Sequence, residues 1–149
     1  MRRRGITLVE LLVVMGVIGL ILGMSVPSIS TYGAQLRVKA TTRQVVGLLS
    51  LARSLAISSR DNHAVVVDQE RLEVSIMNVA SGERLEHVVR IPKEVTVDVQ
   101  AGGEAAAEAQ VVFRPTGALE GRTLQLVIAG RDHSHTITVT GTTGAVSVE

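Results

Sequence analysis

Two apolar patterns divide the first sixty residues of the chain. Ile6–Val26 is almost continuously apolar, with Glu10 as its one charged residue. A helix of this length spans about 30 Å at 1.5 Å per residue, which matches the hydrocarbon core of a bilayer. Residues 2–4 are arginines, and no further basic residue occurs before Arg37. The positive-inside rule therefore predicts a membrane-spanning helix with its N-terminus in the cytoplasm and the rest of the chain outside.

The second pattern begins at Leu36 and has the alternating spacings of three and four that are typical of an amphipathic helix. Its apolar or small positions are Leu36, Val38, Thr41, Val45, Leu48, Ala52 and Leu55, widened by Leu49 and Ala56. The pattern predicts that the helix continues to about Ser58 with this stripe against a core, and that Ser58–Asn62 ends it. Arg43 and Arg53 fall largely on other faces. Pro27 lacks a backbone donor, so we expect it to bend the helix between the two stretches.

After Asn62 the apolar period changes from 3.6 to 2, which indicates short β-strands. The predicted strands are Ala64–Asp68, Leu72–Asn78, His87–Ile91, Val95–Val99, Val111–Arg114, Leu124–Ile128, Thr136–Thr140 and Ala145–Val148. Polar or glycine-containing segments connect them. Ala101–Ala109 shows no alternation and is predicted to be a flexible loop.

Short antiparallel strands with one apolar face need a surface that covers this face, and the stripe on residues 36–56 is available. The sequence therefore predicts an α+β fold. A long N-terminal helix, transmembrane and then amphipathic, would pack on a small antiparallel β-sheet head that forms one curved sheet or two small ones.

Charge and composition narrow the functions of this head. Residues 1–60 carry eight basic side chains and one acid, whereas residues 61–149 carry seven basic and thirteen acidic side chains. An acidic head disfavours a surface that binds polyanions. Tyr32 and Phe113 are the only aromatic residues, which disfavours a ligand pocket or a nucleic-acid stacking platform. Cysteine is absent, so a cysteine-based metal site is excluded.

Ile6–Val26 has alternative interpretations, which differ in how well they explain its length and Glu10. A secretory signal has an apolar region of about 7–15 residues, which is shorter than this run. A buried helix of a globular core rarely carries so long a run beside an arginine cluster. A plain signal anchor fits the length, but it leaves Glu10 unexplained, since a carboxylate in an apolar helix costs about 2.5–3.5 kcal/mol on insertion scales.

The segment Gly5–Leu12 (GITLVELL) resembles the prepilin peptidase site of type IV pilins and pseudopilins. The resemblance implies that prepilin peptidase cuts between Gly5 and Ile6, that the new N-terminal Ile6 is methylated, and that Glu10 is the family's assembly glutamate. Pro27 lies where many members have a helix-kinking proline. The implied domains are a basic leader (residues 1–5), a transmembrane helix (6–26), its amphipathic continuation (27–60) and a β-rich periplasmic head (61–149).

The same resemblance implies partners and a location. The chain would sit in the bacterial inner membrane as a single-pass protein, in contact with lipid, with its N-terminus cytoplasmic and its head periplasmic. It would then enter a periplasmic fibre with other pilin or pseudopilin subunits, on an inner-membrane assembly platform. No cofactor is implied.

Three further segments are similar to the GspH/FimT group of minor pseudopilins and minor pilins, namely Ala52–Ile57, Val112–Gly117 and Ile137–Val146. The implied function is a minor pseudopilin of a type II secretion system, with a minor pilin of a type IV pilus as the alternative. Some FimT-like pilins take up DNA through arginines of the head. Arg114, Arg122 and Arg131 are the candidates here, and DNA contact requires that they converge on one face.

His133 and His135 are the only residues that suggest a metal site or a hydrolytic site. On a strand both side chains would point to one face, beside Asp132 and Ser134. A two-histidine fragment without a third spaced ligand is a weak signal, so we interpret it as a polar hairpin tip. The sequence contains no phosphate-binding loop and no nucleophile elbow. We therefore predict no catalytic residue, no metal and no enzymatic activity.

Overall fold

The computed structural model describes residues 7–106 and 108–149, and of residues 24–32 it describes the backbone alone. One helix, α1 (Leu8–Ser59), precedes nine strands. The strands are β1 (His63–Asp68), β2 (Glu73–Asn78), β3 (Arg84–Arg90), β4 (Thr96–Ala101), β5 (Glu104–Ala105), β6 (Gln110–Phe113), β7 (Leu124–Ala129), β8 (Ser134–Val139) and β9 (Val146–Val148). The chain divides into two units, Met1–Gly33 and Ala34–Glu149.

In the first unit, residues 7–23 are exposed at every position. Among the described residues, no helix combines the length and the apolar character needed to cross a membrane. The transmembrane segment Ile6–Val26 therefore stays a prediction, and so does the bend at Pro27.

In the second unit, α1 ends where the sequence predicts it. The hydroxyls of Ser58 and Ser59 both donate to the carbonyl oxygen of Leu55, at 3.2 and 2.7 Å. Arg60 follows with a φ of 59°, the left-handed conformation that commonly closes a helix. The serine hydroxyls satisfy a carbonyl oxygen of the last helical turn, and Arg60 turns the chain towards β1.

The strands form two antiparallel sheets. One has four strands in the order β3-β2-β1-β6, and the other has five in the order β5-β4-β7-β8-β9. Turn side chains fix the hairpins: the carboxylate of Asp68 accepts from the backbone N–H of Arg71 at 2.9 Å, and the Asn78 side-chain oxygen accepts from Ala80 N–H at 2.9 Å. Asx turns of this kind explain why polar residues separate the strands.

A single core joins α1 to both sheets. The helix contributes Val38, Val45, Leu48, Leu49, Ala52 and Ala56, and the largest buried strand residues include Phe113, Ile76, Leu126, Ile128 and Ile137. Thr42 is also buried, and its hydroxyl donates to the Val38 carbonyl at 2.8 Å. The hydroxyl therefore has a hydrogen-bond partner within the helix. Burying Thr42 in the core avoids the free-energy penalty of an unpaired polar group.

The α+β fold with a long N-terminal helix and a small antiparallel head is confirmed, and the head contains two sheets. All eight predicted strands occur, with ends that differ by up to three residues. Two predictions were wrong. Leu36 is 49% exposed rather than part of the core, and the predicted loop Ala101–Ala109 contains the short strand β5, which pairs with β4.

Candidate assembly surfaces

The start of α1 is fixed by Thr7. Its hydroxyl oxygen accepts from the backbone N–H of Glu10 at 3.3 Å, and its carbonyl accepts from Leu11 N–H at 3.2 Å. Threonine is a favoured N-cap, and threonine followed three residues later by glutamate is the capping-box pattern. Glu10 also lies in the first helical turn, where the positive end of the helix dipole favours an acid. The local sequence therefore explains why the helix begins at Leu8.

Residues 8–23, which we call the N-terminal apolar segment, present their apolar side chains on all sides. The large ones between Leu8 and Leu22 are 45–79% exposed. Glu10 is the only charged residue of the segment, and it makes no ion pair within the part of the chain that the structure describes. Exposed apolar surface of this extent marks a site that contacts lipid or another protein.

The other predicted N-terminal sites are Gly5, Ile6 and Pro27. Gly5 and Ile6, the predicted cleavage and methylation sites, lie outside the described residues. Pro27 lies within α1, and its side chain is outside the description.

The three candidate DNA-binding arginines lie in separate segments of the head. Arg114 is paired with Glu120, with 4.0 Å between Nη2 and the carboxylate oxygen. Arg122 precedes β7 and Arg131 follows it. A strand of six residues is about 20 Å long, so these two arginines lie at opposite ends of one strand. Convergence of the three arginines on one face therefore stays a prediction.

The histidine pair is also divided between two elements. His133 lies exposed in the β7–β8 turn, where its carbonyl accepts from Gly130 N–H at 2.8 Å. His135 lies in β8 and is half-buried. His133 therefore lies at a polar hairpin tip, as the sequence predicts, whereas His135 is part of the sheet. Across the described residues, no group of three or more metal-ligating side chains occurs.

The sequence missed a contact between α1 and two glycine turns. Arg53, predicted on a polar face, is half-buried, and its Nε–H donates to the carbonyl oxygen of Gly117 at 3.1 Å. Gly117 and Gly144 both have positive φ values, 81° and 63°, and the turns that carry them approach closely. The sequence shows a glycine in each of the two turns. It does not show that the turns lie close together, because this depends on pairing between distant strands.

Two family models match the chain. The model of the family described as type II transport protein GspH matches residues 41–143. The prokaryotic N-terminal methylation motif matches residues 1–26. A search among curated proteins found no match.

Two solved structures are similar in fold. One is the type IV minor pilin FimU of Pseudomonas aeruginosa PAO1, with 17% identity and a TM-score of 0.57, covering 80% of this chain and 90% of that one. The other is the minor pseudopilin EpsH from the type 2 secretion system of Vibrio cholerae, with 15% identity and a TM-score of 0.55, covering 78% of this chain and 95% of that one. At these identities the likeness shows the fold alone. The GspH model, however, covers more than half of the sequence, and the chain therefore belongs to the type II transport protein GspH family.

Proposed function

We propose that the chain is a minor pseudopilin of a type II secretion system, a structural subunit of the periplasmic pseudopilus that drives protein export. Family membership supports this role. The observation that carries it is the N-terminal apolar segment, which is exposed at every described position. An apolar helix without a partner in its own chain is stable against lipid or against other apolar helices, and a pilin-like subunit uses both in turn. The role is mechanical, and no catalytic step is assigned to the chain.

Before assembly, the segment Ile6–Val26 would hold the chain in the inner membrane. The three leader arginines would keep the N-terminus in the cytoplasm and the head in the periplasm. Prepilin peptidase would then cut between Gly5 and Ile6 and methylate Ile6. The match of residues 1–26 to the N-terminal methylation motif supports this step. The inner-membrane assembly platform would move the processed subunit into the fibre.

Inside the fibre, the carboxylate of Glu10 would pair with the N-terminal ammonium group of a neighbouring subunit. The carboxylate of Glu10 makes no ion pair among the described residues, so it is available for a partner. Packing among apolar helices removes water, and an unpaired carboxylate then becomes costly. A charge-assisted hydrogen bond in that environment favours the register that makes the pair over slipped registers.

The test compares Glu10→Gln, Glu10→Leu, Glu10→Asp and Glu10→Ala at matched expression. We expect all four to insert, to be cleaved and to fold, because Glu10 is exposed and Thr7 still caps the helix. Incorporation into sheared fibres should fail for Gln and Leu. It should weaken for Asp, which keeps the carboxylate on a shorter side chain, and fail for Ala, which has none. Glu10→Gln isolates the effect of the charge, since it removes the charge and keeps the size and the capping ability.

Wild-type incorporation of Glu10→Leu would contradict the pairing and leave Glu10 as a residue that only helps to start the helix. Deletion of the gene distinguishes a type II secretion system from a type IV pilus. Loss of protein export is the expected result, whereas intact export with loss of surface pili would assign the chain to the alternative, a type IV pilus. The separation of Arg122 from Arg131 disfavours DNA uptake in either machine.

A further inference from the structure

The five-stranded sheet ends in a strand with an open edge. β9 pairs with β8 alone. Thr136 and Glu149 exchange both backbone hydrogen bonds, at 3.0 and 2.9 Å, which identifies them as a hydrogen-bonded pair. In an antiparallel ladder such pairs alternate with pairs whose N–H and C=O groups point outward. The backbone groups of Val146 and Val148 therefore point away from β8, and the described part of the chain offers them no partner.

This open edge lies beside α1. A cavity of about 340 Å³ lies between Val148, His135 and one face of the helix. A second cavity, of about 440 Å³, lies between Gly144–Val146 and the following turns of the helix. The helix residues that line the two are Lys39, Thr42, Arg43, Val46, Ser50, Arg53, Ser54 and Ile57. We call these residues with Gly144–Val148 the β9 groove.

The lining residues of α1 form one continuous stripe, because their spacings alternate between three, four and one residues as on one helix face. The stripe from Lys39 to Ile57 extends about 27 Å at 1.5 Å per residue. The C-terminal end of β9 lies next to the start of this stripe, and Gly144 lies next to its end. Strand and helix therefore run in opposite directions along the two sides of the groove.

Apolar surface remains partly uncovered in the groove. Val148 is 48% and Ile57 is 47% exposed, and Val46 is half-buried. Val148 shares a sheet face with Val146, which packs against the core. The sheet thus stops one strand short of covering this side of the helix. An added strand would cover it and would satisfy the outward backbone groups of β9 at the same time.

The charges of the groove indicate what the added strand contains. Lys39 and Arg43 are exposed on successive turns of α1, and neither makes an ion pair among the described residues. The nearby Arg37 differs, since it is paired with Glu94 at 3.4 Å. Lys39 and Arg43 both line the groove beside Val148. They are positioned to receive carboxylates at one end of the groove.

We propose that the β9 groove binds an extended segment of a neighbouring fibre subunit, which adds to the five-stranded sheet beside β9. The segment has alternating apolar residues that cover Val46 and Val148, and carboxylates that meet Lys39 and Arg43. Antiparallel pairing with β9 places these carboxylates at the N-terminal end of the segment. This mode is β-augmentation, in which main-chain hydrogen bonds give affinity and alternate side chains give specificity. The proposal deepens the proposed function, since it rests on that function for the source of the segment.

The probe is a labelled peptide of about seven residues, in which valine alternates with threonine after two N-terminal aspartates. Its binding to the purified full chain in detergent micelles is measured by fluorescence anisotropy, with empty micelles as the blank. Amide hydrogen exchange is followed in parallel. We expect the peptide to slow exchange at Val146 and Val148 by about fivefold or more, because these N–H groups become paired. A peptide with N-methyl groups on alternate amides should give neither binding nor protection.

Variants test the two kinds of contact separately. Val148→Pro removes one outward N–H and no bond to β8, so it should abolish binding in a folded chain. The double variant Lys39→Glu with Arg43→Glu should raise the Kd about fivefold or more, because two exposed ion pairs are lost and like charges then face each other. Lys93→Glu, an exposed cation outside the groove, is the matched control and should leave the Kd unchanged.

Several results would overturn the proposal: equal binding of the N-methylated peptide, unchanged exchange at Val146 and Val148, or protection confined to α1, which would indicate a helical or purely apolar occupant. A peptide with its aspartates at the C-terminal end should bind more weakly, and tighter binding would contradict the antiparallel direction. The experiment contains no secretion machinery. It can therefore fail while the Glu10 variants behave as expected, or succeed while they do not.

Discussion

Gly144 lies where the β8–β9 turn meets the turn that carries Gly117, and it offers a sharp test of how the head closes. Its φ is +63°, and a Cβ at this position would overlap the carbonyl of Gly117 and lie 3.2 Å from Arg53 Nε. That same carbonyl accepts the hydrogen bond from Arg53. Replacing Gly144 with alanine should therefore strain the backbone and also push apart a contact between the helix and the sheet.

The two effects have separate magnitudes. A left-handed conformation costs an L-residue about 1–2 kcal/mol. Forcing an extra methyl group into a packed site costs about 1–3 kcal/mol more. Gly144→Ala should thus lower the free energy of unfolding by about 2–5 kcal/mol. Gly82→Ala is the matched control, because Gly82 has a φ of +69° and nothing within 4 Å of a Cβ. It should lose the conformational part alone.

Differential scanning calorimetry of the full chain in a mild detergent measures both variants. For a folded unit of this size, a change of 1 kcal/mol shifts Tm by about 4 °C. Gly144→Ala should lower Tm by about 8–20 °C, and Gly82→Ala by about 4–8 °C. Equal shifts in the two variants would refute the reasoning, because they would show that the close approach of Gly144 to Gly117 contributes nothing beyond the turn conformation.

Three further predictions concern the processing of the N-terminus, the stability of the head without the N-terminal apolar segment, and the core positions of α1. Mass spectrometry of the membrane-extracted chain, with its peptidase present, should show an N-terminus at Ile6 that is methylated, whereas an intact Met1 or a cut near Ser25–Ser28 would contradict the prepilin assignment. A chain that begins near Thr31 should remain folded and monomeric without detergent, since the helix stripe stays with the sheets; precipitation or a molten state would show that the packing is incomplete. Leu49→Ala should lower the free energy of unfolding by about 3 kcal/mol, while Leu36→Ala should change it by less than about 0.5 kcal/mol, and similar losses would contradict the buried register of α1.

Periodicity predicted the elements well because each element buries a face of its own. The alternation of Val95–Val99 and Leu124–Ile128 is visible in the sequence, and these segments became β4 and β7. The stripe of α1 was predicted from Leu36 to Ala56 for the same reason, and its buried residues run from Val38 to Ala56. The prediction was wrong for Leu36, because the buried stripe begins at Val38. The side chain of Val38 lies against Gly130 in the β7–β8 turn. Leu36 lies two residues before Val38, at the N-terminal limit of this contact, and is 49% exposed.

What periodicity could not predict depends on contacts between distant parts of the chain. Strand β5 has two residues, too few to show alternation. The split into two sheets requires β6 to pair with β1 across four intervening strands, and no local pattern encodes that choice. The role of Arg53 was missed because an arginine on a helix wheel is ordinarily solvated. Its acceptor, the carbonyl of Gly117, is 64 residues away.

The arginines and the lysine of α1 divide into two groups, and this division links the fold to assembly. Arg37 pairs with Glu94 near one end of the buried stripe, and Arg53 binds the Gly117 carbonyl near the other end. Both attach the helix to its own head. Lys39 and Arg43 lie between them on the side where the sheet ends. A helix that needed its cations only for solubility would have no reason to separate them in this way. The arrangement is consistent instead with a buried stripe whose two ends are held within the subunit, beside a groove that is left for a neighbour.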